Sequence, residues 1–195
     1  MARIERINKA RKEQKCSKCG CVVEVGMPYL KATPYRQRPI IRCTKCGLKS
    51  YETSGSEYVK GCGAIVEDWR ENYDLNESTA DEIASALEEI RDQQQDSLDN
   101  MPENLQYGDT GTMLQERIDS LECTIDELNN ISWEDCESEA EGEVESEMGE
   151  YDPDAEDKQW ESEEEYQEEF DSQKQELTEE KYGDAIDEAL SNIVY

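Results

Sequence analysis

The chain has 195 residues, of which 35% are hydrophobic, and its formal net charge at pH 7 is −30. With one Phe and this excess of acidic residues, it cannot build one hydrophobic core of the usual size for its length. It contains no His, which excludes the usual general base and every Ser–His or Cys–His catalytic arrangement. No apolar run approaches the roughly 20 residues that cross a bilayer. We therefore expect small ordered pieces in a soluble protein that is not an enzyme.

The charges are divided unevenly along the chain. Residues 1–60 contain fourteen Lys or Arg and five Asp or Glu, whereas residues 61–195 contain six and forty-five. The first part therefore carries about +9 and the remainder about −39. Such asymmetry indicates a nucleic-acid or acidic-partner surface at one end and a repelling, solvating or mimicking segment at the other. The two parts can also bind each other.

Residues 1–15 form a basic arm whose composition permits a helix, with Ile4 and Ile7 on one side. A solvated arm and an arm that contacts phosphate fit this composition equally well. The arm lacks the apolar stretch of a signal peptide, so we expect a cytoplasmic protein.

Two cysteine pairs with the spacing CxxC, each followed by glycine, define a zinc-finger module at residues 16–60. Each pair predicts a tight knuckle that directs two sulfur atoms at one point. Tetrahedral zinc accepts four thiolates at about 2.3 Å and leaves no open position, so the site is structural. We predict a Zn²⁺ ion bound by Cys16, Cys19, Cys43 and Cys46. The alternatives are two disulfides, which a reducing compartment disfavours, or four incidental thiols. Cys21 can replace a knuckle ligand or lie on a strand that faces the small core.

Between the two pairs, valine-rich and arginine-rich runs predict a small antiparallel sheet that carries the knuckles at one end. Aromatic and cationic side chains interleave in this module, a composition that stacks bases and neutralises phosphates. The candidate nucleic-acid contacts are Tyr29, Tyr35, Arg36, Arg38, Arg42 and Lys45. The alternative is that the tyrosines pack over the zinc core and the arginines keep the module soluble.

The module resembles the short zinc fingers, related to the poly(ADP-ribose) polymerase type, of uncharacterised tailed-bacteriophage proteins. The matching stretch reads KCSKCGCVVEVGMPYLKATPYRQRPIIRCTKCGLKSYETS, with a Val25-Gly26 turn after the first knuckle and an Arg-rich strand before the second. The polymerase-type finger has His as its third ligand, where this chain has Cys43. Residues 100–106 and 108–111 are similar to the same phage proteins. The resemblance implies a phage-encoded protein of the host bacterial cytoplasm, and it implies no activity.

Residues 61–75 are predicted as a linker and residues 76–132 as an α-helical hairpin. A capping box at Thr79–Glu82 begins the first helix, and a turn at Gly108–Gly111 precedes the second. Their apolar seams are Ile83, Leu87 and Ile90, then Leu114, Ile118, Leu121, Ile125 and Leu128. The second, coiled-coil-like seam is too short to stand alone, so it packs on the first helix or self-associates. Cys123 lies off this seam and is expected to be an exposed thiol.

Residues 133–181 form an acidic, low-complexity segment. Between 134 and 180, twenty-three Asp or Glu accompany two Lys. Unpaired carboxylates at this density repel one another, so we expect disorder in the free protein. The spaced aromatic residues leave open whether the segment is a solvated tail or docks on a basic host or phage protein. Residues 182–195 are predicted as a short amphipathic helix that binds a partner or folds back onto the hairpin.

The sequence thus predicts a small zinc-ribbon-like β module with four cysteine ligands plus an α-helical hairpin, followed by a long acidic, disordered C-terminal region. The expected function is that of a non-enzymatic zinc-finger binding or adaptor protein whose basic head contacts nucleic acid. One alternative is an acidic inhibitor or nucleic-acid mimic that acts on a host nucleic-acid-binding or defence protein. Another is a virion structural or assembly protein. No membrane partner is expected, and the sequence assigns no oligomeric state.

Overall fold

A computed structural model describes residues 2–72, 75–149, 151, 160 and 162–195. The chain divides into two compact units, one that ends at Asp68 and one that runs from Trp69 to Val194. The first unit contains all the strands of the described residues, and the second contains the long helices that follow them. Among the described residues, no helix is both long enough and apolar enough to cross a membrane.

The first unit is built on two small antiparallel sheets, as the valine-rich and arginine-rich runs predict. The strands are β1 (Ile4–Ile7), β2 (Gln14–Lys15), β3 (Val22–Val23), β4 (Tyr29–Ala32) and β5 (Ile40–Cys43). One sheet has the order β1-β4-β5, and the other pairs β2 with β3. Because β5 ends at Cys43, the three-stranded sheet leads directly into the second cysteine pair.

The basic arm is an ordered part of this unit and contains strands, although its composition also permits a helix. β1 pairs with β4, and Ile7 lies opposite Tyr29. Beyond β1, the Ala10 amide donates to the Met27 carbonyl and the Gly26 amide donates to the Ala10 carbonyl, both at 2.8 Å. The strand forms here because pairing with β4 satisfies backbone hydrogen-bonding groups of that strand and half-buries Ile4 and Ile7.

The predicted linker at residues 61–75 is mostly helical. Helix α1 (Glu57–Asn72) covers most of it and follows a short 3₁₀ turn at Tyr51–Thr53. Tyr58 and Cys62 are both buried, one helical turn apart. Two glycines in this stretch lower its helix propensity, and this weakened the helical signal in the sequence.

The predicted helical hairpin is present in the second unit. Helices α2 (Thr79–Asp99) and α4 (Asp109–Asn129) pack against each other and are joined through the short helix α3 (Glu103–Gln106). They run antiparallel, since the end of α2 and the start of α4 line one pocket. Both predicted apolar seams are buried. Cys123 is exposed, as expected.

The acidic segment is helical over its described residues, and the expected disorder is wrong for them. Helix α5 (Trp133–Met148) packs against helix α6 (Glu163–Ser191); residues 150, 152–159 and 161 of the segment lie outside the described residues. Two lysines of α6 each bridge two glutamates of α5. The pairs are Lys174 with Glu137 (2.9 Å) and Glu141 (3.4 Å), and Lys181 with Glu143 (2.8 Å) and Glu139 (3.8 Å). The composition gives the number of carboxylates, but it does not show that Lys174 and Lys181 lie between α5 and α6.

The aromatic residues of the acidic segment pack on one another. The Tyr166 ring lies 5.0 Å from the Trp160 ring in a T-shaped contact and 5.7 Å from the Tyr151 ring. Phe170, one turn further along α6, lies 6.1 Å from Tyr166. This contact set gives the aromatic residues a role inside the fold, which removes the reason for assigning them to partner docking.

Helix α6 continues through the predicted terminal helix, so residues 182–195 do not begin a separate element. Tyr182 is fully buried; its hydroxyl accepts a hydrogen bond from the Ala80 amide (3.1 Å), and its ring packs edge-on against Trp133. Ile186 and Leu190 are buried on the same helix. The end of the chain therefore folds back onto the hairpin, which is one of the two alternatives drawn from the sequence.

Candidate metal centre and basic groove

Both cysteine pairs form tight turns of the kind that the CxxCG spacing predicts. Gly20 has a φ of 73° and Gly47 a φ of 65°, in the left-handed region that favours glycine. In the first turn the Gly20 amide donates to the Cys16 carbonyl at 2.9 Å. The two knuckles therefore share one local geometry, although one follows β2 and the other follows β5.

The sulfur atoms of four cysteines lie close together. The Sγ atoms of Cys16, Cys19, Cys21 and Cys43 all lie within 4.8 Å of one another, and those of Cys19 and Cys43 are 3.8 Å apart. A tetrahedral site with Zn–S bonds of about 2.3 Å has S···S edges of about 3.8 Å. The cluster thus has the dimensions of a metal site with four thiolates. Cys16 and Cys43 are its buried members.

A fifth cysteine, Cys46, borders the same cluster. Its thiol interacts with those of Cys19, Cys43 and Cys16, and the Cys21 thiol interacts with those of Cys19 and Cys43. The close group of four therefore contains Cys21, where the sequence prediction has Cys46. Cys21 is exposed and its sulfur belongs to the cluster, so of the two alternatives for this residue the one that places it against the small core is wrong. Five thiols surround a centre that offers four positions.

The thiols of the cluster differ in their pKa values: those of Cys16 and Cys43 are lowered, and those of Cys21 and Cys46 are raised. Burial opposes ionisation of Cys16, but backbone N–H groups, led by that of Cys19, outweigh it and lower the pKa of this thiol to about 5. The backbone N–H of Cys46 is the main cause that lowers the pKa of Cys43. Hydrogen bonding with the Cys19 and Cys43 thiols raises the pKa of Cys21 and of Cys46 to about 12. A bound dication would offset the repulsion between neighbouring thiolates and would displace the protons of the thiols that are still protonated.

The donor set restricts the chemistry of the site. Thiolate ligands select soft or borderline ions such as Zn²⁺ and Cu⁺, and four of them leave no position for water or substrate. The arrangement is therefore suited to holding structure together. The other cysteines of the described residues, Cys62, Cys123 and Cys136, lie on α1, α4 and α5 outside the cluster.

A basic groove of about 860 Å³ lies on the sheet that carries the second knuckle. Five of its lining residues are cationic: Arg6, Lys9, Arg11, Lys12 and Lys31. None of these five forms an ion pair within the described part of the chain. The half-buried side chains of Ile7, Tyr29 and Ile41 line the same groove. Positive charge thus surrounds an apolar surface that contains one aromatic ring.

The groove and the sulfur cluster share one small core. Tyr29 lies opposite Cys43 in the β4–β5 register. It also packs against a cluster that contains Ala10, Cys16, Val23 and Cys43. The position of the Tyr29 ring therefore depends on the cysteines that would hold a metal.

Arg42, one of the candidate nucleic-acid contacts, is engaged within the fold. Its guanidinium donates to Ser17 Oγ and to a Glu52 carboxylate oxygen, the latter at 2.7 Å. The Arg42 side chain is only 13% exposed, and its Nε is buried without a hydrogen-bond partner among the described residues. Arg42 therefore links the first knuckle to the 3₁₀ turn, and this gives it a structural role.

The other candidates separate into three places. Tyr29 lines the groove, whereas Lys45 lines a smaller cavity beside Cys21 and Cys46. Tyr35 and Arg36 lie in the exposed loop between β4 and β5, where the guanidinium carbon sits 5.0 Å from the ring centre. Arg38 is exposed in the same loop.

Sequence reasoning missed most of the groove. The composition of the arm fits both a solvated and a phosphate-binding segment, and all the candidate contacts that the sequence indicates follow the first knuckle. The signal that could have found the groove is the pair Ile4 and Ile7, since apolar residues in a basic arm need a surface to pack on.

Comparisons with protein-family models, with curated proteins and with solved structures give no match to this chain. The likeness to phage zinc fingers therefore depends on the quoted residues alone.

Proposed function

We propose that this protein is a non-enzymatic binding module in which a Zn²⁺ ion organises a basic head that contacts nucleic acid. The observation that carries the proposal is the basic groove, in which five cations without ion-pair partners among the described residues surround an aromatic floor. Phosphate neutralisation by Lys and Arg supplies most of non-specific nucleic-acid affinity. Such a protein needs a compartment that keeps thiols reduced, which fits the bacterial cytoplasm implied by the phage-finger resemblance.

Zinc is the proposed ion because thiolates are its usual structural ligands and the 3.8 Å sulfur spacing fits its bond length. We assign the ligands to Cys16, Cys19, Cys43 and Cys46. Both CxxCG turns have the same left-handed glycine, so the second cysteine of each knuckle should play the same part. Cys21 would then be a neighbouring thiol outside the first coordination sphere.

The acidic helices fit this proposal as a part that restrains non-specific binding. α5 and α6 carry carboxylates far in excess of the two lysines that bridge them. Repulsion between these carboxylates and the phosphates of a nucleic acid would weaken any nucleic-acid contact made outside the groove. At an ionic strength of about 0.1 M this repulsion acts over about 10 Å.

The experiment is the salt dependence of binding to a short fluorescent oligonucleotide by the zinc-loaded full chain. We compare the triple variant Lys9→Gln, Arg11→Gln, Lys12→Gln with a control that removes three cations outside the groove: Arg36→Gln, Arg38→Gln, Lys45→Gln. The slope of log K against log salt is negative, and if each groove cation contacts one phosphate, the groove variant should reduce its magnitude by about 2–3. The control should change it little.

Two results would contradict the proposal. One is the absence of binding by the full chain at low salt, about 20 mM, where phosphate contacts are strongest. The other is identical behaviour of the two triple variants. A third arm adds a chelator strong enough to remove zinc, and binding should then fall, because the Tyr29 side of the groove rests on the cysteine core.

A further inference from the structure

The floor of the basic groove has the form of a platform for a flat ring. Ile7 lies opposite Tyr29 across the β1–β4 pair, and Lys31 lies opposite Ile41 across the β4–β5 pair. Since partners in an antiparallel pair and alternate residues of a strand share a face, these four side chains lie on one side of the sheet. Ile7, Tyr29 and Ile41 are half-buried, so part of each remains available to a ligand.

Three of the cations stand around this floor, and Lys31 shares its face of the sheet. Lys9, Arg11 and Lys12 come from the connection between β1 and β2, and all three are exposed. Lys31 enters from β4, with the exposed carboxylate of Glu5 opposite it in register. A ligand that suits this arrangement has an apolar or aromatic part at its centre and negative charges at its ends.

Double-stranded nucleic acid does not have this form. Its phosphates lie on the outside and its bases are stacked within, so a duplex would contact the rim and leave the floor unfilled. A single strand can turn one base out, stack it on an aromatic ring and keep the flanking phosphates near the rim. The volume of about 860 Å³ is in the range of pockets that accept small organic ligands.

We infer that the groove selects single-stranded nucleic acid by stacking one unpaired base on Tyr29 between Ile7 and Ile41, with the neighbouring phosphates on Lys9, Arg11, Lys12 and Lys31. This inference rests on the proposed function, since it requires that the groove bind nucleic acid at all. It names the kind of nucleic acid and the residue that distinguishes it.

The test measures the affinity of the zinc-loaded full chain for four probes of equal length at one salt concentration. They are single-stranded DNA, single-stranded RNA, a blunt duplex, and a single strand whose central nucleotides are abasic. At least one natural single strand should bind about 10-fold or more tightly than the duplex, which loses the stack. The abasic strand should bind about 5- to 150-fold more weakly than its DNA counterpart, the range of one base–aromatic stack.

Protein variants then locate the stack. Tyr29→Leu should reduce single-strand affinity to the level of the abasic probe, whereas Tyr29→Phe should retain it. Tyr35→Leu is the matched control, because this exposed tyrosine lies outside the groove. Each variant is first checked for one bound metal ion, and the abasic probe gives the same information with the unmodified protein if Tyr29→Leu does not fold.

Equal affinity for the duplex, or no effect of removing the bases, would overturn the inference while leaving groove binding intact. A loss confined to Tyr35→Leu would also overturn it and would move the stack to the β4–β5 loop. No binding to any of the four probes would instead contradict the proposed function.

Discussion

Tyr182 provides the sharpest test of the ordered C-terminal half. Its hydroxyl accepts from the Ala80 amide at 3.1 Å and donates to the Glu77 carbonyl at 3.3 Å, at the start of α2. Replacing it in Tyr182→Phe keeps the ring and its edge-on contact with Trp133, but leaves the Ala80 amide buried without its acceptor. An unsatisfied buried donor costs about 1–3 kcal/mol.

This loss of stability can be measured in two ways. With a urea dependence of about 2 kcal/mol per M, the unfolding midpoint of the second unit should fall by about 0.5–1.5 M. Hydrogen exchange at the start of α2 should accelerate by about 5- to 150-fold, because the local opening free energy falls by the same amount. The control is Tyr107→Phe, since Tyr107 is 85% exposed and this change should stay within about 0.5 kcal/mol.

The reasoning would be refuted if Tyr182→Phe behaved like Tyr107→Phe in both measurements. That result would mean that the end of α6 does not dock on α2. The acidic region would then be closer to the solvated tail that its composition predicts.

Two further changes probe other parts of the fold. Glu52→Gln should lower the free energy of unfolding by about 1–2 kcal/mol, measured by urea titration, because Arg42 loses its counter-ion. Burial opposes the ionisation of Glu52, but the Lys49 amide and Arg42 outweigh it and lower its pKa. The difference should therefore be full above the ordinary Glu pKa, about 4.3, and vanish as the pH falls through the folded value; an unchanged difference at a pH of about 3 would contradict this. Gly111→Ala should lower the melting temperature, since the new Cβ would collide with the backbone carbonyl at the end of α3, whereas Gly142→Ala meets nothing within 4 Å and should be neutral or stabilising. Equal melting temperatures for these two variants would show that α3 does not approach α4 as described.

The features that the sequence predicted well are those with a local physical signal. The CxxCG turns need a glycine with positive φ directly after the pair, and both glycines have it. The α2–α4 hairpin was predicted because apolar residues recur at helical spacing and a proline and two glycines separate the seams. Such signals depend on residues a few positions apart.

The features that it missed depend on contacts between distant residues. Helices α5 and α6 pack against each other and are joined by ion pairs of Lys174 and Lys181 with glutamates that lie far away along the chain. From the sequence alone Arg42 is a candidate nucleic-acid contact, but in the structure its guanidinium donates to Glu52 and Ser17. Neither arrangement can be read from composition or period.

The choice of ligands shows the same limit within the metal site. Spacing alone favours Cys46, because it completes a second CxxC pair. The fold brings Cys21 equally into reach, because β3 follows the first knuckle closely and pairs with β2. The cluster dimensions follow from the two knuckles, whereas the fourth ligand depends on how the metal orders five neighbouring sulfurs.

The most direct test of the central claim is the zinc content of the purified reduced protein and of two variants, measured by native mass spectrometry. We predict one Zn²⁺ per chain in the unmodified protein and in Cys21→Ser, and a weakened or absent ion in Cys46→Ser. Retention of zinc in Cys46→Ser with loss in Cys21→Ser would reassign the fourth ligand to Cys21. An unmodified protein that binds no metal in stoichiometric amount would contradict the claim that a metal ion organises the basic head.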